Sequence, residues 1–260
     1  MARPLAVITG ASSGIGAQFA RRLCAQYDLL LVARREARLQ LLAAELHAQS
    51  GSMVQVLAAD LTDERALGAL AARVAAEPRL SLLINNAGFG ARGTFWESEL
   101  ELQEQMHRLH IAATLRLSHA ALRNMVANDA GAIINVASVA GFLARAGSVS
   151  YGATKCWMIA FSEGLYLDLK RAGSSVKIQA LCPGFTYSEF HDTMRVERSK
   201  MAPASFWLPA QFVVQQSLRG LAAGKLYVVP SWRYRAIVNL LCLLPRPLRL
   251  AVGAAASGRP

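Results

Sequence analysis

The sequence has few cysteines and no cysteine motif. Its 260 residues include four cysteines, Cys24, Cys156, Cys182 and Cys242, with no CxxC pair and no Cys/His cluster. This excludes a disulfide scaffold and argues against a zinc or other metal site. We expect the thiols to be reduced and mostly buried, as in a reducing compartment. There is no internal repeat and no low-complexity segment.

The N-terminal apolar run is also short. Leu5–Ile8 cannot form the core of a signal peptide and leads directly into a glycine-rich turn. We therefore interpret it as a buried strand and expect a cytoplasmic protein that is not secreted.

Acidic residues are absent from the last part of the chain, where Glu197 is the final one. The nine cations after it account for +9 of the net charge of +11. This asymmetry indicates either an anionic partner for the C-terminal part or a solvated basic surface. It does not indicate nucleic-acid binding, because the cations alternate with Leu and Val and form no known reader motif.

Short apolar runs alternate with longer helical patterns along the chain. Strands that are apolar throughout indicate a parallel sheet with helices on both faces, so we predict a doubly wound α/β domain, a three-layer sandwich. The predicted strands are Leu5–Thr9, Leu29–Ala33, Met53–Ala58, Leu80–Asn85, Gly131–Ala137, Val176–Cys182 and Leu226–Val229. The predicted helices are Ile15–Gln26, Arg35–Ala48, Thr62–Ala76, Glu99–Asn128 and Tyr151–Ala172.

A glycine-rich turn, Thr9–Gly16, follows the first strand. Its glycines permit a tight turn and a close approach to a pyrophosphate, and the following helix offers free N–H groups. The pattern GxxxGxG differs from the commonest dinucleotide fingerprint and is weak evidence in isolation, but its position after the first strand strengthens it. The expected cofactor contacts are Gly10, Ser12, Ser13, Gly14, Ile15 and Gly16.

The second strand ends at Arg34 and Arg35, where NAD-binding enzymes usually have an acidic residue for the ribose 2′-hydroxyl. A guanidinium instead suits a 2′-phosphate, so we expect NADP(H) in preference to NAD. The alternative is that one or both arginines simply begin a solvated helix.

Polar residues follow the third and fourth strands as well. Asp60, before Leu61, could accept from an adenine amino group, cap the helix near Thr62, or do both. The amides of Asn85–Gly88 could tie adjacent strands and hold the loop of Asn86, Ala87 and Gly88 under the cofactor; an ordinary Asn/Gly turn is the alternative.

Ser138 follows the fifth strand, and Tyr151 and Lys155 come next at helical i, i+4 spacing. This spacing puts both side chains on one helix face. A nearby ammonium stabilises a phenolate and lowers its pKa, which would make Tyr151 a useful acid or base. Ser138 could hold a carbonyl oxygen beside it.

These motifs, together with Pro183-Gly184, occur in the order and near the spacings of one family. Over about residues 5 to 230 the chain resembles the short-chain dehydrogenases/reductases. The resemblance implies a Rossmann-type domain with a seven-stranded parallel sheet and a nicotinamide cofactor. It also implies that Tyr151 is the general acid/base, that Lys155 binds the nicotinamide ribose, and that Ser138 positions the carbonyl. Residues 183–188 (Pro183, Gly184, Phe185, Thr186, Tyr187, Ser188) would cover the nicotinamide, with Thr186 or Ser188 near its carboxamide.

One residue departs from the family pattern. Where the family usually has an asparagine that helps to hold a relay water, this chain has His110. A neutral histidine can both donate and accept, so we expect His110 to take over that role. The alternatives are a shifted alignment, or a packed histidine with a slowed or lost proton relay.

Aromatic residues suggest an apolar substrate site within a single domain, residues 1–230, with a substrate loop at about 188–210. The expected wall residues are Phe89, Phe142, Phe185, Phe190, Phe206 and Trp207. No arginine or lysine stands at an obvious position to recognise a sugar phosphate or a small acid. A lipophilic carbonyl compound is therefore the expected substrate.

The C-terminal tail, residues 231–260, is rich in Leu, Trp and Arg. As a helix, Trp232–Leu244 would have only a narrow polar strip, and it is too short to span a bilayer. It could lie at the inner membrane surface, pack on a neighbouring subunit, or close over the active site.

Taken together, the sequence predicts an NADPH-dependent oxidoreductase that reduces a lipophilic ketone to a secondary alcohol, or the reverse, as a homo-oligomer (dimer or tetramer). The alternatives are a 3-oxoacyl-carrier-protein reductase whose basic tail docks the acidic carrier, and a cofactor-binding membrane or partner protein with weak catalysis because of His110.

Overall fold

The computed structural model describes residues 3–192 and 201–256. The strands of its main sheet are β1 Leu5–Thr9, β2 Asp28–Ala33, β3 Val54–Ala58, β4 Leu80–Asn85, β5 Ala132–Val136, β6 Lys177–Leu181 and β9 Tyr227–Val228. These seven strands are parallel and lie in the order β3-β2-β1-β4-β5-β6-β9. Two further short strands, β7 Thr186–Tyr187 and β8 Leu208–Pro209, pair with each other. The predicted doubly wound α/β fold is confirmed.

Helices cover both faces of this sheet. In chain order they are α1 Gly14–Leu23, α2 Glu36–Ser50, α3 Glu64–Ala76, α4 Leu100–His107, α5 Ala113–Ala127, α6 Val149–Arg171, α7 Glu189–Asp192, α8 Ala210–Ala222, α9 Trp232–Leu243 and α10 Arg246–Ala255. On one face α1 packs against α2 and α8, and on the other α3 packs against α5.

Alternation along β1 explains why both faces are covered. Ala6 and Ile8 belong to the apolar cluster under α1 and α2, whereas Leu5 and Val7 belong to the cluster under α3 and α5. Successive side chains of a strand point to opposite faces. A strand that is apolar throughout therefore requires helices on both sides.

The prediction of a single helix over Glu99–Asn128 is wrong in one respect. A π-helical turn at Arg108–Ala112 separates α4 from α5. Such a turn inserts one extra residue into the helical ladder and changes the direction in which side chains point. His110 is in this turn and is fully buried.

The cysteines are free, but only Cys24 and Cys182 are buried. Cys156 and Cys242 are exposed, so the expectation that the thiols are mostly buried is wrong for these two. Both lie on the outer faces of helices.

The tail forms α9 and α10, separated at Pro245, and it packs on the domain. The Tyr234 hydroxyl accepts from the Phe185 amide at 3.0 Å and donates to the Phe206 carbonyl at 2.8 Å. In α10, a Cβ on Gly253 would lie 2.2 Å from the Ala144 carbonyl oxygen, so only glycine allows this approach. These contacts join the tail to the segments around the predicted substrate site.

The outer face of the tail is different, because it leaves large apolar side chains exposed. Those side chains are Trp232, Leu240, Leu243, Leu248 and Leu250. Within the described part of the chain, no helix is long and apolar enough to cross a bilayer. Contact of this face with a membrane surface or with a second subunit stays a prediction.

Tyr234→Phe tests how strongly the tail is fastened. The change leaves the Phe185 amide and the Phe206 carbonyl without their partner, so we expect the free energy of unfolding to fall by about 1–2 kcal/mol. Urea denaturation followed by circular dichroism measures it. Tyr27→Phe is the control, because no hydrogen bond of the Tyr27 hydroxyl occurs among the described residues. An equal loss in both variants would contradict the fastening role.

Candidate active site

A cavity of about 600 Å³ lies at the carboxyl edge of the sheet. Residues that follow β1 to β6 line it, as expected for a parallel α/β sheet, where ligands bind beyond the carboxyl ends of the strands. Most of the residues predicted for the cofactor and for catalysis reach this cavity. Gly16 and His110 do not line it.

The glycine-rich turn forms one wall of the cavity. Gly10 and Gly14 have φ of +64° and +54°, conformations that favour glycine. A Cβ on Gly16 would lie 2.3 Å from the Gly10 carbonyl oxygen. Gly16 thus permits the close packing of α1 on the turn, whereas Gly10, Ser12, Ser13, Gly14 and Ile15 face the cavity.

Asparagine side chains after β4 tie strands together, as predicted. The Asn85 amide donates to Asn135 Oδ1 on β5 at 2.9 Å. Asn86 Nδ2 donates to the carbonyls of Thr9 and Gly10 at 2.9 and 3.2 Å. These bonds fix the glycine-rich turn against the loop of Asn86, Ala87 and Gly88.

Arg35 anchors the region predicted for the 2′-phosphate. Its Nη2 donates to the hydroxyls of Ser12 and Ser13, both at 2.9 Å, and its Nη1 pairs with Glu189 at 2.6 Å. Arg38 forms a second ion pair with the same carboxylate. The sequence interpretation missed both Arg38 and Glu189. Arg38 is one helical turn after Arg34, which was the available signal, whereas Glu189 comes from a distant segment.

Arg34 and Asp60 lie beside this cluster, with Arg34 Nη1 3.7 Å from the carboxylate. Asp60 accepts from the Thr62 amide and hydroxyl at 2.9 and 2.8 Å. The cap of α3, however, is Asp63, whose carboxylate accepts from the Ala66 amide. Asp60 shapes the turn and, with Leu61, lines the cavity.

Ser138, Tyr151 and Lys155 meet at the opposite end of the cavity. The hydroxyls of Ser138 and Tyr151 are hydrogen-bonded to each other. Lys155 Nζ donates to the Val136 carbonyl at 2.9 Å and lies 5.7 Å from the centre of the Tyr151 ring. The helix spacing therefore does bring the two side chains to one place.

The pKa of Tyr151 differs from our expectation. Burial raises it to about 12, and the hydrogen bond from Ser138 offsets only part of this rise. Burial also lowers the pKa of Lys155 to about 7. Since the amine is only partly charged at neutral pH, it gives the phenolate less support than a full ammonium would.

His110 lies behind the wall and has two partners. Its Nδ1 is 2.8 Å from Thr154 Oγ1, and its Nε2 accepts from the Phe89 amide at 3.2 Å. The Thr154 hydroxyl donates its own proton to the Tyr151 carbonyl, so it can only accept from His110. Nδ1 of His110 therefore carries the ring proton and donates it to Thr154. Burial, then the charge of Lys155, lowers the pKa of His110 well below its usual value, so the ring is neutral. Its predicted part in a proton relay stays a prediction.

The segment predicted to cover the nicotinamide lies across the cavity. Pro183, Gly184, Phe185, Thr186 and Ser188 line it. A Cβ on Gly14 would lie 2.9 Å from Ser188 Cβ, which shows how closely this segment approaches the glycine-rich turn. Residues 193–200 of the predicted substrate loop lie outside the described residues.

That the predicted wall residues contact a substrate stays a prediction, but four of the six, Phe89, Phe185, Phe190 and Phe206, line the cavity. Phe142 and Trp207 do not, which corrects the prediction. Phe142 packs against a core cluster, and the Trp207 ring contacts the Phe185 ring at a tilt of 33°.

The sequence interpretation missed a further part of the wall. Leu143, Met201, Tyr234, Ile237, Val238 and Leu241 also line the cavity, so α9 closes one of its sides. Arg92 and Arg145 line it too. The sequence showed no arginine at an obvious position to recognise a sugar phosphate or a small acid, so these two were missed. The only sequence signal for Arg92 and Arg145 was that they follow Gly88 and Ser138 closely along the chain.

The family model for the short-chain dehydrogenases matches residues 4–199, well over half of the chain. The chain belongs to the short-chain dehydrogenase/reductase family. A short-chain dehydrogenase from Sphingobium yanoikuyae, solved in complex with NADPH, is 34% identical, with a TM-score of 0.83 over 94% of this chain and 97% of that one.

Two other relatives of this short-chain dehydrogenase/reductase are informative. A Haemophilus influenzae protein named "Probable NADP-dependent dehydrogenase" is 37% identical over 69% of this chain and 70% of its own. The bulky-bulky ketone specific alcohol dehydrogenase from Comamonas testosteroni is 29% identical, with a TM-score of 0.79 over 95% of this chain and 96% of that one.

Lys155→Met tests the environment of the buried amine. The unfolded chain binds this proton below about pH 10.4 and the folded chain only below about pH 7, so between these values the unfolded state holds more protons. The free energy of unfolding of the wild type should therefore rise, relative to that of Lys155→Met, by about 2 kcal/mol from about pH 7 to about pH 9.

Urea denaturation at both pH values measures this difference. Lys170→Met, which removes an exposed lysine of the same helix, is the matched control. A constant difference between the wild type and Lys155→Met would show that the amine keeps an ordinary pKa.

Proposed function

We propose that this short-chain dehydrogenase/reductase is an NADPH-dependent oxidoreductase that interconverts a lipophilic ketone and a secondary alcohol. The observation that carries the proposal is that one cavity joins the Arg35 cluster, the glycine-rich turn, the Ser138–Tyr151–Lys155 group and an apolar wall. Two relatives support it: one was solved in complex with NADPH, and the other is a bulky-bulky ketone specific alcohol dehydrogenase.

The residues at the first end of the cavity fit a dinucleotide phosphate. The glycine-rich turn lines the cavity directly before α1, and the free backbone N–H groups at the start of a helix suit a pyrophosphate. Arg35 and Arg38 both bind one carboxylate, that of Glu189. A 2′-phosphate is also an anion that pairs with guanidinium groups, so it could take the place of that carboxylate.

The residues at the other end fit reduction of a carbonyl. When bound, NADPH supplies the hydride. Ser138 and Tyr151 would both donate to the carbonyl oxygen, and Tyr151 would transfer its proton as the alcohol forms. A pKa of about 12 keeps Tyr151 protonated, which suits a proton donor. After this transfer, a fully charged Lys155 would stabilise the phenolate of Tyr151. His110 would hold the helix of Tyr151 in place through its hydrogen bond with Thr154.

Turnover on a panel of ketones of graded chain length, followed by NADPH oxidation, tests the reaction. Rates should rise with chain length, and Tyr151→Phe should lower kcat by about a hundredfold or more while NADPH still binds. Tyr166→Phe, on the same helix, is the matched control. Loss of activity in both variants would contradict the assigned role.

The same panel separates the alternative functions. Reduction of carrier-bound but not free 3-oxoacyl ketones would favour the carrier-protein reductase. Tight NADPH binding without turnover on any ketone would favour a cofactor-binding protein with weak catalysis. If His110→Asn then gained activity, the histidine would be the cause.

Arg35→Leu tests the cofactor preference. The variant loses the guanidinium that would pair with the 2′-phosphate, so the Kd for NADPH should rise about tenfold or more, and that for NADH should change little. Fluorescence titration measures both constants. Equal weakening of NADPH and NADH would instead indicate that Arg35 only supports Ser12 and Ser13.

Glu189→Gln is the opposite change at the same place. It removes the carboxylate that competes for the two arginines, so NADPH should bind more tightly than to the wild type. Weaker NADPH binding in Glu189→Gln would show that this carboxylate positions the arginines rather than competing with the phosphate.

A further inference from the structure

Arg92 and Arg145 lie at the end of the cavity that holds Ser138 and Tyr151. They come from two loops that are joined, because the Gly93 amide donates to the Gly147 carbonyl at 3.2 Å. A smaller depression beside the cavity is lined by both Arg92 and Tyr151. Two guanidinium groups therefore lie close to the predicted site of proton transfer.

Among the described residues, no acid balances the positive charge at this end of the cavity. Within residues 3–192 and 201–256, neither Arg92 nor Arg145 forms an ion pair. Burial, then the charge of Arg145, lowers the pKa of Arg92, as expected for two cations that repel each other. The acids of the cavity wall, Asp60 and Glu189, are paired with arginines at the far end.

Arg145 is held in place by the tail. Its Nη2 donates to the Ala256 carbonyl, at the end of α10, at 2.5 Å. A guanidinium has five N–H donors, so this bond orients the group and leaves others for a ligand. Orientation in advance reduces the entropy that a ligand would otherwise lose on binding.

Apolar side chains continue the wall from Tyr151 toward these arginines. Leu143 precedes Arg145 by two positions, and Phe190, Ile237 and Leu241 complete the surface. A ligand that fills this end must be apolar along its body and can carry a negative charge at one end.

We propose that Arg92 and Arg145 bind an oxyanion, a carboxylate or a phosphate, at one end of an otherwise lipophilic substrate. This inference rests on the proposed function, since it names the class of ketone that the site reduces. Two guanidinium groups can bind both oxygens of a carboxylate or of a phosphate through charge-assisted hydrogen bonds.

Pairs of ketones that differ only in charge test the site. Keto acids with three to nine carbons between the ketone carbonyl and the carboxylate are compared with their methyl esters. Both sets are assayed with the wild type, Arg92→Gln and Arg145→Gln. Each variant should lose about tenfold or more in kcat/KM for the acid, mainly through KM, and less than about twofold for the ester. Arg123→Gln, which removes an exposed arginine of α5, should change neither.

The ratio of kcat/KM for the acid to kcat/KM for the ester distinguishes a role in anion binding from a purely structural role. If Arg145 only fastened α10, its variant would lose both substrates equally. Arg92 forms no hydrogen bond with the described part of the tail, so Arg92→Gln keeps the proposal testable if Arg145→Gln folds poorly. A second pair, a 3-oxoacyl coenzyme A thioester and its N-acetylcysteamine thioester, distinguishes a phosphate-bearing substrate from a free acid.

A binding measurement keeps this inference separate from the proposed reaction. Dodecanoate and dodecyl phosphate are compared with dodecan-1-ol by the shift in thermal midpoint. If no ketone is reduced but an anion stabilises the wild type and not Arg92→Gln, the anion site stands and the proposed reaction fails. If charged and uncharged partners behave alike in turnover and in binding, the anion site is overturned.

Discussion

The burial of Lys155 is the constraint on which the reactive end of the cavity depends. Its amine donates to the Val136 carbonyl, and no carboxylate pairs with it among the described residues. A desolvated ammonium without a counter-ion holds its proton weakly. The same low-dielectric surroundings raise the pKa values of Tyr151 and Cys182 to about 12 and keep His110 neutral. These four groups are therefore biased toward their uncharged forms.

This bias makes the two ends of the cavity electrostatically different. At the far end, Arg35 and Arg38 are neutralised by Glu189, so charge is present but balanced. At the reactive end Lys155, Arg92 and Arg145 line the same cavity, and the two acids of the described wall, Asp60 and Glu189, are paired with other arginines. A negative group that enters there meets positive charge in a partly desolvated place, where Coulomb attraction is strong. The charge pattern thus favours one orientation of an anionic, lipophilic molecule.

How far the sequence could predict the site depends on how local each part is. Parallel strands end at one edge of the sheet, so short motifs after each strand could be combined into a single cavity. This worked for the glycine-rich turn, Asn86, Ser138 and Tyr151. The bounds of the strands were also close, because apolar runs of this kind are fixed by burial on both faces.

Contacts between distant segments could not be predicted in this way. The carboxylate of Glu189 reaches Arg35 across the cavity, and nothing near either residue indicates it. The π-helical turn at Arg108–Ala112 interrupts a segment whose apolar pattern is continuous. The pKa of Tyr151 was expected to fall because of a nearby amine, but the amount of burial is a property of the whole fold and determined the opposite direction.

The tail shows how one such distant contact shapes the site. A Cβ on Gly184 would lie 2.0 Å from the Tyr234 ring, so the ring packs directly on the segment over the cavity, while its hydroxyl bonds to Phe185 and Phe206. From the same helix Ile237 and Leu241 provide part of the apolar wall. Tyr234 therefore both fastens the tail and, with Ile237 and Leu241, limits the size of the proposed substrate site. Under the proposed function, sequence changes in this helix should alter which substrates fit without altering Ser138, Tyr151 or Lys155.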